Sequence, residues 1–159
     1  MPRHEEQATL AYTPDELFEV VANVRDYPSF VPWCSGARIL YEDQQELVAD
    51  LVIGFGLFQE SFRSQVTLDR PRQVKVHAID GPLEHLTNTW TFTPTIDKTH
   101  VDFVIDFQFK SHMLDHIVNG MFYQAATQMM SAFESRVHLV HMRQQRAAHH
   151  SSDYRSGPH

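Results

Sequence analysis

The chain is short of cysteine, of basic residues and of long apolar runs. Cys34 is the single cysteine among 159 residues, so no intramolecular disulfide can form and packing must hold the fold, as suits a reducing compartment. The cytoplasm is the expected location. Lysine and arginine total 13 against 20 aspartates and glutamates, a formal charge of −7. Without clustered cations to release counterions, nucleic-acid binding is not expected. No apolar run approaches the roughly 18 residues of a bilayer span. The opening MPRHEEQATLAY has neither the apolar core of a secretory signal nor the acid-poor composition of a transit peptide. A Gly-rich phosphate loop, a Ser nucleophile elbow and a dinucleotide fingerprint are missing as well. What remains is 42% apolar residues, in a chain long enough for one domain with a proper core.

A weakly patterned strand ends near Tyr12. Thr13-Pro14-Asp15-Glu16 then combines an N-cap threonine, a proline at the first helical position and a glutamate three residues after the cap, which predicts a helix from Pro14. Leu17, Val20, Val21 and Val24 give it one apolar face, with Phe18 alongside. RDYPSFVPWC, residues 25–34, follows; Pro28 and Pro32 limit it to a short helical turn. From residue 36 to 110 the period becomes two, with strands expected at 37–41, 46–53, 58–68, 74–78, 86–92 and 101–109. Val101, Phe103, Ile105, Phe107 and Phe109 form the clearest stripe. Leu114, Ile117, Val118, Met121, Ala125, Met129, Phe133, Val137 and Val140 then step by three or four, which predicts one long helix to about residue 145. The fold class is therefore α+β: a curved antiparallel sheet of six or seven strands around a long C-terminal helix, with two short helices after the first strand. Residues 1–146 form the domain, and 147–159 read as a disordered tail without periodicity.

Phe62, Trp90, Phe92, Phe103 and Phe107 fall on inner faces opposite Met121, Met129 and Phe133. Such a lining either fills a solid core or surrounds an adaptable apolar cavity. Glu60 and Asn88 share the parity of Phe62 and Trp90, so they point inward too. Among the 11 histidines, His112/His116 and His138/His141 have helical spacing but no third metal ligand nearby, and read as solvated helix residues. Cys34 beside Trp33 reads as a buried, inert thiol.

Four stretches, YPSFVPWC at 27–34, GLFQESFRSQVTLDRP at 56–71, GPLEHLTNTWTFTP at 81–94 and VDFVIDFQFKSHMLDHIVNGMFYQAATQMMSAFESR at 101–136, carry a resemblance. Together they resemble the coenzyme Q-binding START-like proteins of the helix-grip, polyketide cyclase-like superfamily, whose branch also holds ribosome-association toxins. The resemblance implies a β-α-α-β-β-β-β-β-β-α fold with an apolar tunnel for ubiquinone or a related polyisoprenoid lipid. It implies no covalent cofactor, no metal and no chemistry of the protein's own. The implied tunnel residues are Phe30, Val31, Trp33, Leu51, Ile53, Phe55, Phe62, Trp90, Phe103, Phe107, Met121, Phe122 and Met129, with Glu60 and Asn88 as candidate head-group contacts. The apolar hairpin tip Gly54-Phe55-Gly56-Leu57-Phe58 suggests transient membrane-surface contact through Phe55 and Leu57, on the inner face of a respiratory membrane. Two alternatives stand beside this reading. One is a cyclase or aromatase using Glu60 with His77 or His85; the other is a ribosome-associated inhibitor of subunit joining.

Overall fold

Thr13 caps the first helix as its sequence predicts. In the computed structural model, which describes residues 3–55 and 57–155 apart from the side chains of 55, 58, 122, 123 and 149–155, Glu16 N–H donates to Thr13 Oγ1 at 3.2 Å. Thr13 N–H returns a bond to the Glu16 carboxylate at 3.2 Å. With Pro14 at the first position, this starts α1 (Pro14–Ala22), whose Leu17, Phe18, Val20, Val21 and Ala22 are buried. A 3-10 segment, Val24–Ser29, follows, and the chain then enters the sheet.

The strands are β1 (Arg3–Leu10), β2 (Cys34–Glu42), β3 (Glu46–Phe55), β4 (Phe58–Asp69), β5 (Gln73–Asp80), β6 (Leu83–Pro94) and β7 (Thr99–Phe109). They form one curved antiparallel sheet in the order β1-β7-β6-β5-β4-β3-β2. The meander β2 to β7 returns to lie beside β1, so α1 and the 3-10 segment carry the chain from one edge of the sheet to the other. The register slips between β2 and β3 at Cys34/Gly36 and Ile39/Tyr41, between β4 and β5 at Arg63/Ser64, and between β6 and β7 at Leu83/His85. Each irregularity adds local twist, and together they bend the sheet around the helix. Gly81, between β5 and β6, has φ +130°, and a Cβ there would come within 2.9 Å of the Phe62 Cα. The turn therefore requires glycine.

The dry face has the expected occupants. In β7, Thr99, Val101, Phe103, Ile105, Phe107 and Phe109 are buried and the residues between them are half-buried. Leu47, Ala49, Leu51 and Ile53 of β3 and Trp90 and Phe92 of β6 are buried as well. Covering this face is α2 (His112–Arg155), whose 44 residues span about 66 Å at 1.5 Å each. Ser111 Oγ accepts the Leu114 N–H at 3.3 Å, and Asp115 accepts the Phe109 N–H at 3.1 Å, fixing the turn into α2.

Two features of α2 differ from the sequence reading. The buried stripe is Val118, Ala126, Met129, Met130, Phe133 and Val137, while Ile117, expected inside, is 45% exposed. The helix also continues to Arg155, past residue 146 where the disordered tail was placed. Periodicity reports burial, and residues 142–148 are exposed, so a helix there leaves no apolar pattern. Ala147, Ala148 and the surrounding Arg and Gln favour a helix by propensity alone. No helix among the described residues is long and apolar enough to cross a membrane.

Candidate ligand-binding cleft

The interior is solid at one end and open at the other. Phe133 of α2 is the hub of the solid end: its ring centroid lies 4.7 Å from Trp90, 5.1 Å from Phe30 and 5.4 Å from Tyr27, and Trp90 packs on Phe103 at 4.6 Å. Tyr27 donates its hydroxyl to the Val21 carbonyl, and burial pushes its phenol far above the ordinary tyrosine range. Tyr12, paired with His138 at 2.8 Å, and Glu16, paired with His141, clasp the same half of α2 to the N-terminal region. His141 is thus half-buried against α1, unlike the solvated helix residue expected from spacing, while His138 is exposed as expected and also bonds Tyr12 in the loop before α1.

Beyond this nucleus, the first half of α2 stands over an apolar cleft. Val118, Ala125, Ala126 and Met129 of α2 form its roof, and Ile53, Leu83, Leu86, Ile105, Phe107 and Phe109 of the sheet form its floor, with Trp33 at one side. All eleven lining residues among the described ones are apolar. The cleft holds about 430 Å³ not occupied by protein atoms, open space at its mouth included, yet it is slender: the centre of a water molecule can reach only about 40 Å³ of it. A second, wider cleft of about 530 Å³ opens beside it, lined by Pro32, Trp33, Gly54, Met121, Gln124, Ala125 and Gln128. Trp33 and Ala125 belong to both, so the outer space is a vestibule to the inner one.

The sequence-expected site residues divide accordingly. Trp33, Ile53, Phe107 and Met129 line the cleft, and Met121 lines the vestibule. Val31, Leu51, Phe62, Trp90 and Phe103 are no more than 3% exposed and line neither space. Val31 packs from the loop before β2, and inward parity places the other four on the dry face, where they pack. Phe30 joins the aromatic nucleus, with the Arg136 guanidinium 5.3 Å over its ring. The side chains of Phe55 and Phe122 lie outside the described residues. Leu83, Leu86, Ile105, Phe109, Val118, Ala125 and Ala126 line the cleft without having been singled out as ligand contacts; Ile105 and Phe109 carried the same alternation signal as Phe107.

Polar groups of the inner face are mostly tied to the frame. Asn88 donates to the Val104 carbonyl at 3.0 Å and accepts the Trp90 indole N–H at 3.2 Å, so its amide is occupied by structural bonds. Glu60 is half-buried and lies opposite Ile53 in the register, at the rim of the cleft. His85 pairs with Asp106 at 2.8 Å, and Asp106 alternates outward between the buried Ile105 and Phe107. This places the pair on the outer face, away from the cleft. The Cys34 thiol, which donates to the Gly36 carbonyl, is pushed up to about 11 by burial, and so stays protonated and inert near neutrality. No group of three metal-ligating side chains occurs among the described residues.

A fold of this kind, with an apolar slot under its long helix, is matched from residue 10 to residue 134 by the model of one family, polyketide cyclase / dehydrase and lipid transport. The chain belongs to that family. It is 37% identical over 135 residues to the ribosome association toxin RatA of Rickettsia prowazekii, covering 82% of this chain and 92% of that one. It is 30% identical over 147 residues to the mitochondrial coenzyme Q-binding protein COQ10 homolog B of Xenopus laevis, spanning 89% of this chain but only 60% of that relative. Among solved structures, the 18 kDa protein CC1736 of Caulobacter crescentus is 37% identical with a TM-score of 0.71, covering 89% of this chain and 99% of that one. The Zhui aromatase/cyclase of Streptomyces reaches a TM-score of 0.75 at 18% identity, covering 86% and 93% of the two chains, a likeness of fold. START superfamily proteins share the same architecture.

Proposed function

We propose that the chain binds ubiquinone or a related polyisoprenoid lipid beneath the first half of α2 and assists its delivery to respiratory electron transport or quinone biosynthesis, without catalysing a reaction. The observation that carries this reading is the wall chemistry: the eleven lining side chains among the described residues are all apolar. Such a slot gains affinity from area, roughly 25 cal/mol per Å² removed from water, less the cost of ordering ligand and wall. The coenzyme Q-binding names of the Xenopus and Drosophila relatives point the same way. The cleft is too slender for a tail as it stands, so loading separates α2 from the sheet at its N-terminal half, where flexible Met129 and small Ala125 and Ala126 face the space. Glu60 at the rim and Asn88 are the candidate head-group contacts, Asn88 the less suited because it is buried and already bonds the Val104 carbonyl and the Trp90 indole. Leu57, fully exposed at the β3–β4 tip, together with Phe55 provides transient contact with the inner face of a respiratory membrane.

Catalysis of the cyclase type is less favoured, since acid–base work needs partnered titratable groups at the cleft and His85, suggested as a partner for Glu60, is held on the outer face by Asp106. Solvent extraction and mass spectrometry of the purified protein test the lipid reading: bound quinone or other isoprenoid lipid is expected. No lipid after repeated extraction, together with no uptake of added quinone, would overturn it. The 37% identity to a ribosome association toxin favours a second reading, ribosome binding. Under it, the protein pellets with ribosomal subunits at moderate salt; under the first, it stays in the supernatant.

A further inference from the structure

The vestibule wall is mixed where the cleft wall is not. Among its described lining residues, Gln124 and Gln128 alone carry a side-chain amide. They stand four apart on α2, so one lies a turn from the other on the same flank of the helix. Met121 and Ala125 share that flank, while Val118, Ala126 and Met129 line the inner cleft. The helix thus divides its underside between an apolar slot and a space with two amides, and Trp33 and Ala125 stand on the boundary.

Buried polar side chains elsewhere on the sheet's inner face are occupied by the frame. Ser64 donates to the Ala49 carbonyl, Thr99 to the Tyr12 carbonyl and Asn88 to the Val104 carbonyl. The Gln124 and Gln128 amides are exposed and have no protein partner among the described residues. Each therefore keeps two N–H donors and a carbonyl acceptor for a molecule that enters the vestibule. Size separates the two spaces in the same sense. The centre of a water molecule reaches about 230 Å³ of the vestibule but only about 40 Å³ of the cleft, so the first suits a substituted ring and the second a chain.

We infer that Gln124 and Gln128 receive the oxygen-bearing head of an amphiphile in the vestibule, while its apolar chain lies in the cleft. The ligand class is a ring carrying carbonyl or hydroxyl oxygens. A carbonyl that leaves water must be given a donor, and the described side chains of the cleft wall are apolar. An amide both donates and accepts, so it serves a quinone carbonyl and a quinol hydroxyl alike. Glu60, at the rim beside Ile53, only accepts when ionised, and so serves the hydroxyl form alone. The inference rests on the lipid-binding reading of the cleft and adds to it where the head lies.

Equilibrium dialysis against cyclodextrin-held ligand under argon, with decyl-substituted benzoquinone, its quinol and decylbenzene as the probes, tests it. All three bind the unmodified protein, decylbenzene least tightly. Gln124→Met with Gln128→Met keeps side-chain length and helix propensity. It is expected to weaken both oxygenated probes about tenfold while leaving decylbenzene within about twofold, because decylbenzene has no oxygen to lose a bond. Gln124→Glu with Gln128→Glu keeps acceptors and loses the donors, so the quinone should weaken about fivefold more than the quinol. Gln144→Met with Gln145→Met, on the exposed far part of α2, is the control and should change no ratio. A quinone-to-decylbenzene affinity ratio in the methionine variant equal to the unmodified protein's overturns the assignment, as does the same change in the control pair or equal weakening of quinone and quinol by the glutamate variant. Failure of all three probes to bind the unmodified protein overturns the cleft reading itself, and this inference with it. Should the double methionine variant melt early, the same ratio in its two single variants decides: ratios equal to the unmodified protein's for both overturn it.

Discussion

Trp33, from the loop before β2, and Ala125, from α2, are the two residues common to the inner cleft and its vestibule. The two spaces adjoin at these residues, so a ligand moving from one to the other would pass between them, with the indole a larger obstacle than the methyl. Ala125→Phe is expected to fill the passage and lower the rate of decyl-benzoquinone uptake at least tenfold. Ala125 is only half-buried, so the melting temperature should move by no more than a few degrees. Trp33→Ala should act oppositely, speeding both uptake and release. Stopped-flow quenching of Trp90 fluorescence by the quinone measures uptake, and its recovery on displacement by a second lipid measures release. Uptake by Ala125→Phe at the unmodified rate would show that ligand enters elsewhere.

Asn88 carries stability, and its removal separates that role from binding. Its amide bridges the Val104 carbonyl and the Trp90 indole N–H, both in the buried frame. Asn88→Ala strands a donor and an acceptor out of reach of water, at a cost of about 2–3 kcal/mol in urea unfolding. Adding Trp90→Phe removes the orphaned donor, so the double variant should be less destabilised than the sum of the singles. Quinone affinity per folded molecule should be unchanged by Asn88→Ala. Purely additive effects would mean that the indole bond contributes nothing.

Much of the architecture was legible because most strands hold one parity from end to end. Val101, Phe103, Ile105, Phe107 and Phe109 announce β7 and its dry face without ambiguity, and Thr13-Pro14-Asp15-Glu16 announces α1 through local hydrogen bonds alone. The cleft was less legible, for three physical reasons. Leu83 and Leu86 have opposite parity in sequence yet line one space, because the irregularity at Leu83/His85 shifts the strand by one residue between them. Parity tells inward from outward but not position along the strand, so Phe103 and Phe107 give the same signal although one is packing and the other cleft wall. Polar residues on an edge strand, finally, make β1 look like a weak strand, although its alternate residues His4, Glu6, Ala8 and Leu10 are the less exposed ones.

The clasp between α1 and α2 should give the fold an acid-sensitive component. Burial works against the charged form of Glu16, but the bonds it receives from His141 and from the Thr13 backbone and hydroxyl outweigh this and hold its carboxyl below the ordinary range. A carboxyl lowered on folding stabilises the native state fully above its unfolded value of about 4.3, and that contribution disappears as pH falls through the lower native value. Between about pH 5 and pH 3 the unmodified protein should therefore lose more melting temperature than Glu16→Gln, which has no proton to take up there. At pH 7 the variant should melt a few degrees lower, having lost the carboxylate's bond with His141 while keeping part of the cap. Parallel curves across the acid range would remove Glu16 from the account.

Leu57 is fully exposed at the β3–β4 tip, and Gly54 of the same hairpin lines the vestibule. An apolar tip beside the entrance to an apolar slot suits a protein that takes its ligand from a bilayer, since the lipid then need not cross water. Burying one such side chain in a membrane surface contributes on the order of 1.5–3 kcal/mol. Leu57→Ser should therefore lower association with liposomes at least tenfold. Its melting temperature and its binding of decyl-benzoquinone dispersed in detergent should be unaffected, because Leu57 touches solvent and the inner cleft is built elsewhere. Flotation of the two proteins with vesicles of fixed composition makes the comparison. Equal flotation would mean that the tip is not the contact, and that lipid reaches the vestibule by another approach.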